Sequence, residues 1–529
     1  MSRELTSRHS QESGLKVRSN HDAPAIDRRN PSQLRIMKFG GTSVGDGFRI
    51  AKVVEIIRSA AREGHVVVIV SAMGGVTNKL IDAALQAEAG NIESVRTIFQ
   101  QLREQHDRAV TELIHSAAER DRIGRKMDAL FQEADRLCQG TVLLRELTPR
   151  TRDSISSLGE RLSAPLLSAA LAERGVASES IEASEVVVTD SYHGAADPQM
   201  GPTRERCEAR LRPLVQQGVV PVVTGFIGAT AEGVLTTLGR GGSDYSATIV
   251  GAALRADEII IWTDVDGLMT ADPRLVPAAC TVPEISYREA TELAYFGAKV
   301  LHPKTLSAVV QCAIPVWIRN TFAPAHHGTR ITPTGPSDGG GVKALASIGD
   351  VVLIRVGGVG IASMTDVLGR TFATTAAVRA DVLLISQSSS QNDICLVVSS
   401  SVSKRTVEAL RREFANDLAH DPEEHITVDS TVAIVAVVGH NLDGMSGILG
   451  RTFGALGQEN VKVVAIAQGS SDCTISFVVA RSDMKTALAT AHREFQLGAM
   501  NSPASPLRPE STQSTTWFYG SDRASANAD

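Results

Sequence analysis

The chain has 529 residues, 43% of them hydrophobic, enough for sizeable cores and, at roughly 150 residues per domain, for more than one domain. A net charge of −6, from 53 basic and 59 acidic side chains, with 4% aromatic residues and no long basic run, argues against nucleic acid as a partner. No apolar run approaches the ~20 residues of a membrane span, and the six cysteines lack C-x-x-C pairs, which argues against zinc or a disulfide framework and fits a reducing cytoplasm.

Residues 1–33 are polar and irregular and carry Glu4, Glu12, Asp22 and Asp27, so neither a secretory signal nor an acid-poor transit peptide is expected there, but a disordered tail. From 34 to about 331, β-branched runs alternate with amphipathic helical segments, the pattern of an α/β domain around a mostly parallel sheet. The run "LRIM" leads into "KFGGTSVGDGFR" (38–49), which reads as a strand-to-helix turn. A plain turn would use Gly40 and Gly41 but has no need of Lys38. With Thr42 and Ser43 the stretch offers bare backbone N–H groups, two hydroxyls and a cation at a helix start, where the dipole favours anions. A phosphate cradle and a simple turn both remain open on this stretch, which has neither P-loop nor dinucleotide-fold spacing.

The next helix places Ile50, Val53, Val54 and Ile57 on one face and ends at Gly64, after which "HVVVIVSA" has the unbroken apolar character of a buried parallel strand. Residues 92–139 are charged and helix-rich, an excursion expected on the domain surface without evident chemistry. The later runs "VVPVVTGF", "EIIIWTDV" and "IPVWIRN" repeat the strand design.

In open α/β sheets ligands bind at the carboxyl ends of the strands, and the unusual residues cluster there. "SAMGGVTN" carries Ser71 and Thr77, and "SSLGERLSA" opens a helix with Glu160. "TLGRGGSDYSA" sets Arg240, Ser243 and Asp244 before another helix; a glycine turn with a capping serine or aspartate accounts for the last two but leaves Arg240 unexplained. "WTDVDGLMTADPR" adds Thr263, Asp264 and Arg274, and "YFGAKVLHP" holds Lys299 near a helix end, where lysine is commonly a dipole partner. Two lysines, two arginines and glycine-rich turns on one sheet edge suit phosphoryl transfer, which asks a protein for positioning and for cations against developing negative charge. No H-R-D, D-F-G or Walker signature is present.

In their order, "KFGGTSV", "VVIVSAMGGVTN", "LGERLSA", "TLGRGGSDYSA", "WTDVDGLMTADPRLVP" and "ELAYFGAKVLHPKTL" resemble the aspartokinases of the amino-acid kinase superfamily over about 300 residues. The resemblance implies a three-layer αβα catalytic domain at 34–331. It also implies Mg²⁺-ATP-dependent phosphorylation of the side-chain carboxylate of L-aspartate, opening the route to lysine, threonine and methionine. It assigns Lys38 and Asp244 to catalysis, with Asp244 orienting Lys38 rather than acting as a base, because a carboxylate nucleophile has no proton to lose. Arg240 would take the α-carboxylate and Glu160 the amino group, with Ser71, Thr77, Phe226 and Ser243 as smaller contacts. Lys38, Gly40, Gly41, Thr42, Thr263, Asp264, Met269, Arg274 and Lys299 would hold ATP. Met269 is a departure, because some relatives carry tyrosine there, and methionine packs on a purine without offering a hydroxyl. No protein metal site is expected.

After a linker at 332–344, the segments starting at Val351 and Val432 align without a gap at an offset of 81 residues, matching Leu368-Gly369-Arg370-Thr371-Phe372 with 449–453 and Gln387 with Gln468. Each reads as βαββαβ and resembles an ACT module, expected at 345–425 and 426–500, with a disordered tail at 501–529. "GGVGIAS" in the first copy imitates a dinucleotide fingerprint, but its counterpart "GHNLDGM" lacks the spacing and no acidic residue ends the following strand, so NAD binding is not expected. Some aspartokinases are fused to a homoserine dehydrogenase, for which the tail leaves no room. Paired modules predict at least a homodimer through 345–500 and feedback by an amino acid. Gln387 and Gln468, each after an apolar strand, resemble the threonine-sensitive branch, so threonine, alone or with lysine, is the expected effector. An amino-acid sensor with an inactive kinase domain, or a kinase for another acidic metabolite, stays open. Lys38, Arg240, Asp244 and Lys299 weigh against the sensor, and the Glu160–Arg240 pairing favours a free amino acid.

Overall fold

The computed structural model describes residues 33–297, 301–336, 341–357, 364–388, 393–415, 426–442, 447–468 and 472–499. In chain order the N-terminal half contributes β1 (Leu34–Phe39), β2 (His65–Val70), β3 (Ser178–Ile181) and β4 (Val220–Thr224). The hairpin of β5 (Ile227–Ala229) and β6 (Leu235–Thr237) follows, then β7 (Glu258–Thr263), β8 (Glu284–Ser286), β9 (Val316–Asn320) and β10 (Thr329–Thr332). All but the hairpin join one sheet in the order β3-β4-β2-β1-β7-β9-β10-β8, parallel throughout except between β9 and β10.

β1, buried along its whole length, lies between β2 and β7, the place for an unbroken apolar run in a sheet covered on both faces. Its alternate side chains feed two cores. Ile36, with Val67 and Ile69 of β2, packs against Ile249, Val250 and Ala253 of the helix Gly242–Leu254. Met37, with Val68 and Val70, packs against Val53, Val54 and Ile57 of the helix Gly47–Glu63. Each of these Ile, Val and Met side chains contributes about 1.5–3 kcal/mol by burial, and together with Ala253 they produce the expected three layers. The stretch expected as a surface excursion is more central than its charge suggests. Its helices Ile92–Leu113 and Ala117–Leu144 send Val95, Phe99, Leu102, Met127 and Leu130 into the second core. An amphipathic helix needs one apolar stripe, and its remaining faces can stay charged.

The C-terminal half has β11 (Gly341–Ile348), β12 (Val351–Val356), β13 (Val382–Ser388), β14 (Asp393–Ser399), β15 (Ile426–Asp429), β16 (Val432–His440), β17 (Val463–Ala467) and β18 (Thr474–Ala480). They form two antiparallel sheets, β13-β14-β12-β15 and β11-β16-β18-β17, each with two helices. The duplication reaches individual contacts. Arg370 donates from Nε to Glu413 Oε1 at 2.8 Å while its guanidinium covers Phe414, and Arg451 does the same with Glu494 and Phe495 at the same offset.

The expected module boundaries do not follow sheet membership. β11, which spans the linker and the start of the first module, pairs with β16 (Leu345↔Val437), and β15, assigned to the second module, pairs with β12 (Ile354↔Val428). The first module is therefore inserted into the second. β16 is buried almost throughout and needs a partner on each edge, and among the described residues no strand follows the helix Met484–Glu494 to supply one. β11 precedes the first repeated residue, so the repeat could not reveal this.

The helix Tyr287–Tyr295 joins the two halves. Its buried Glu289 takes Lys343 of β11 at 3.0 Å and the Ser286 hydroxyl at 2.6 Å, Arg288 pairs with Asp472 at 2.6 Å, and the Tyr295 hydroxyl donates to the Val382 carbonyl at 3.2 Å. No helix of the described residues is long and apolar enough to cross a membrane. The expected disordered tails, apart from Gln33, and the fingerprint-like stretch, apart from Gly357, lie outside the described residues.

Candidate active site

Because β1, β2, β4 and β7 run parallel, their carboxyl ends open on one sheet edge, where the loops converge. Lys38, near the end of β1, puts Nζ 2.5 Å from Asp244 Oδ1 in the first turn of the helix Gly242–Leu254. Both side chains are largely shielded, so solvent screens their attraction little. The glycines after Lys38 serve close approach rather than unusual backbone angles, since neither has a positive φ. A Cβ on Gly41 would stand 3.0 Å from the Ala72 carbonyl oxygen, and one on Gly40 would stand 3.2 Å from Lys38 Nζ.

Glu160 sits in the first turn of the helix Leu158–Glu173, 2% exposed, where the dipole favours an acid. Burial pushes its carboxyl up to about 8, against the opposing pull of the Ala72 and Glu160 backbone N–H groups, the Ser71 hydroxyl and the Lys38 charge. Among the described residues its Oε2 has no hydrogen-bond partner, a costly condition for a buried acid that an incoming cation would relieve.

Lys38, Ser71, Thr77, Glu160, Phe226, Arg240, Ser243 and Asp244 all line one cavity of about 560 Å³. Ser243 and Asp244 do not cap their helix: the cap position is Gly241, and the Ser243 hydroxyl donates to Ser71 at 3.3 Å. Arg240 is exposed on the cavity wall and has no carboxylate partner among the described residues. Phe226 has φ 68°, rare for a bulky residue, and its N–H is held by the Ser246 hydroxyl at 2.9 Å, so the surrounding fold maintains a strained conformation at the cavity wall.

Apart from Lys38, the described residues expected to hold ATP lie outside the lining of that cavity. Gly40, Gly41 and Thr42 form the neighbouring turn, and the Gly40 N–H donates to the Trp262 carbonyl at 3.2 Å, which brings Thr263 and Asp264 at the end of β7 alongside. The Thr263 hydroxyl donates to Asp264 at 3.2 Å. Met269 is half-buried and bridged to Thr281, whereas Arg274 is 74% exposed and turned onto Asp272 at 2.6 Å. Lys299 lies outside the described residues. Among those described, no group of three or more His, Cys, Asp and Glu could hold a metal.

Sequence reasoning passed over Arg152 and Asp153, which also line the cavity. Their signal was the position of Asp153 seven residues before Glu160 in "RDSISSLGE", two helical turns along one face.

An amino-acid-kinase core carrying ACT modules is the class that this geometry defines, and the amino acid kinase family profile matches residues 33–320 while the ACT domain profile matches 354–414 and 435–495. The chain is 32% identical over 471 residues to aspartokinase 1 of Arabidopsis thaliana, covering 87% of this chain and 80% of that one, and it belongs to the aspartokinase family. It is 33% identical over 464 residues to the bifunctional aspartokinase/homoserine dehydrogenase of Haemophilus influenzae, covering 87% of this chain and 56% of that protein, so it spans about half the length of such bifunctional relatives. Among solved structures, Escherichia coli aspartokinase III in complex with aspartate and ADP (R-state) superposes with a TM-score of 0.74 at 29% identity, covering 88% of this chain and all of that one. The same enzyme with lysine and aspartate (T-state) gives 0.72 at the same identity and coverage.

Glu160 predicts a pH signature that needs no ligand. A folded-state carboxyl raised above its usual 4.5 favours the fold below that pH and loses the advantage as pH climbs through about 8. Thermal melts of the wild type and Glu160→Gln should therefore diverge in favour of the glutamine variant across this window and level off above it. A difference that does not change with pH would show that Glu160 is not held as an orphaned acid.

Proposed function

We propose that the chain is an aspartate kinase, transferring the γ-phosphoryl group of ATP to the side-chain carboxylate of L-aspartate to give ADP and 4-phospho-L-aspartate. The observation that carries this reading is the pairing, in one cavity, of a buried acid with one oxygen unbonded and an arginine with no carboxylate partner, both among the described residues, beside a fixed lysine. A free amino acid supplies both missing charges, its ammonium to Glu160 and its α-carboxylate to Arg240, leaving its side-chain carboxylate toward Lys38. Lys38 lowers the repulsion between that carboxylate and the phosphoryl group, and Asp244 holds the ammonium of Lys38 in place. The aspartate and ADP seen in the E. coli relative fit this reading. Mg²⁺ is the implied companion of ATP. It would neutralise phosphate charge while the Lys38 turn and the end of β7 orient the nucleotide.

The regulatory reading is that threonine, alone or with lysine, binds near Gln387 and Gln468. Both glutamines are exposed at the ends of β13 and β17, edge strands of the two modules that lie against one another. The exposed Ile385, Val464 and Ile466 on those strands favour a homodimer or higher homo-oligomer formed there. The helix Tyr287–Tyr295, which touches both modules and precedes Lys299 in the sequence, supports coupling between effector and catalysis.

Coupled ADP release with Mg-ATP and L-aspartate tests the catalytic reading. Arg240→Ala should mainly raise the KM for aspartate and Lys38→Ala mainly lower kcat, each by about ten- to a hundredfold, the cost of losing a charge-assisted partner. Wild-type kinetics in both variants would refute the site. Titration with threonine and lysine tests regulation: Gln387→Ala and Gln468→Ala should weaken threonine inhibition and leave uninhibited turnover nearly unchanged. A wild type indifferent to millimolar threonine but inhibited by lysine would leave the glutamines as turn residues.

A further inference from the structure

One buried carboxylate in the cavity wall has a role that no substrate contact explains. Asp153, in the helix Pro149–Ser156, is 2% exposed and faces four donors from two other segments. Its Oδ2 accepts from His193 Nδ1 at 2.9 Å, from the Gly194 N–H at 3.0 Å and from the Thr237 N–H at 3.2 Å, while its Oδ1 accepts from the Thr237 hydroxyl at 2.6 Å. Thr237 ends β6, and three residues later the chain presents Arg240. The loop held by His193 and Gly194 is also stitched to β6, because the Ala196 N–H donates to the Thr237 carbonyl at 2.9 Å. That loop closes over the turn before Arg240 so tightly that a Cβ on Gly239 would meet the Gly194 carbonyl oxygen at 2.9 Å.

On the other side, Asp153 is bound covalently to the Glu160 element. The helix Pro149–Ser156 runs directly into the helix Leu158–Glu173, whose first turn carries Glu160. One carboxylate therefore ties the segment that holds the acid of the cavity to the strand that holds its arginine. Neither Glu160 nor Arg240 has a direct bond to the other among the described residues, and Arg240 is exposed, so nothing in their own contacts sets their separation.

We propose that Asp153 is a positioning residue that sets the spacing between Glu160 and Arg240, and so sets the two-point recognition of the α-amino and α-carboxylate groups of the substrate. This rests on the reading of the cavity as the aspartate site. A ligand gripped at both ends is sensitive to that spacing, whereas a ligand held only by its carboxylates is much less so. The lysine–aspartate pair at the phosphoryl side is anchored on β1 and on the helix Gly242–Leu254, and Asp153 makes its hydrogen bonds to other residues.

The test is steady-state kinetics on the full chain with Asp153→Asn, in which one acceptor oxygen becomes an amide N–H facing a donor. The KM for L-aspartate should rise about tenfold or more, with kcat and the KM for Mg-ATP changing by less than about threefold. Competitive inhibition by succinate, which has both carboxylates but no amino group, should weaken less than aspartate binding, so the preference for aspartate over succinate narrows. His193→Ala, which removes one donor at a half-buried position, should move the same quantities in the same direction by a smaller factor, and it decides the matter if Asp153→Asn does not fold. An active wild type with an unchanged aspartate KM in these variants, or a parallel loss for aspartate, succinate and ATP, would overturn the inference alone. A wild type that does not use aspartate would overturn the functional reading and the inference with it.

Discussion

The ion pair between Lys38 and Asp244 is the constraint around which the catalytic edge is built. A lysine at the end of a central strand would be stranded among apolar neighbours without a counter-charge, and a helix N-terminus is where an aspartate is most stable. Joining them fixes β1 relative to the helix that follows β6. Ser71 and Thr77, which follow β2, are positioned from a strand paired with β1, whereas Glu160 and Arg240 arrive on other elements.

Around that pair the site is organised by unmet charge. Glu160 is buried at the cost of its ionisation, and among the described residues one of its oxygens has no partner and Arg240 stands on the wall without an acid. Such groups weaken the empty protein slightly and strengthen the bound one, so binding energy is reserved for a ligand that carries both opposite charges. The strained Phe226 and the close approach of Gly41 to Ala72 belong to the same economy of space, because they let backbone and ring crowd a small, charged ligand.

Much of this was legible in the sequence because it depends on local rules. Unbroken apolar runs announced buried parallel strands, and glycine-rich turns with lysine, arginine and acids fell on the strand ends where a parallel sheet collects them. The duplicated modules were visible from an alignment without gaps, down to Arg370 and Arg451, which clamp equivalent helices. The nested arrangement of the modules was not legible, because β11 pairs with a strand that lies beyond the whole first module and strand pairing at that distance leaves no local pattern. Asp153 was hidden for a similar reason: its four donors come from segments at least forty residues away along the chain, and its own neighbourhood reads as an ordinary helix.

The central claim is that the cavity presents a side-chain carboxylate to a phosphoryl group, and the product of that reaction is an acyl phosphate. Hydroxylamine attacks an acyl phosphate at carbon and expels phosphate, leaving a stable hydroxamate that can be identified by mass. The most direct measurement is therefore to incubate the purified protein with Mg-ATP, L-aspartate and hydroxylamine and to look for aspartyl β-hydroxamate. The account predicts its accumulation in proportion to ADP, and its loss in Lys38→Ala. ADP formation without hydroxamate, or hydroxamate formed equally well without the lysine, would contradict it.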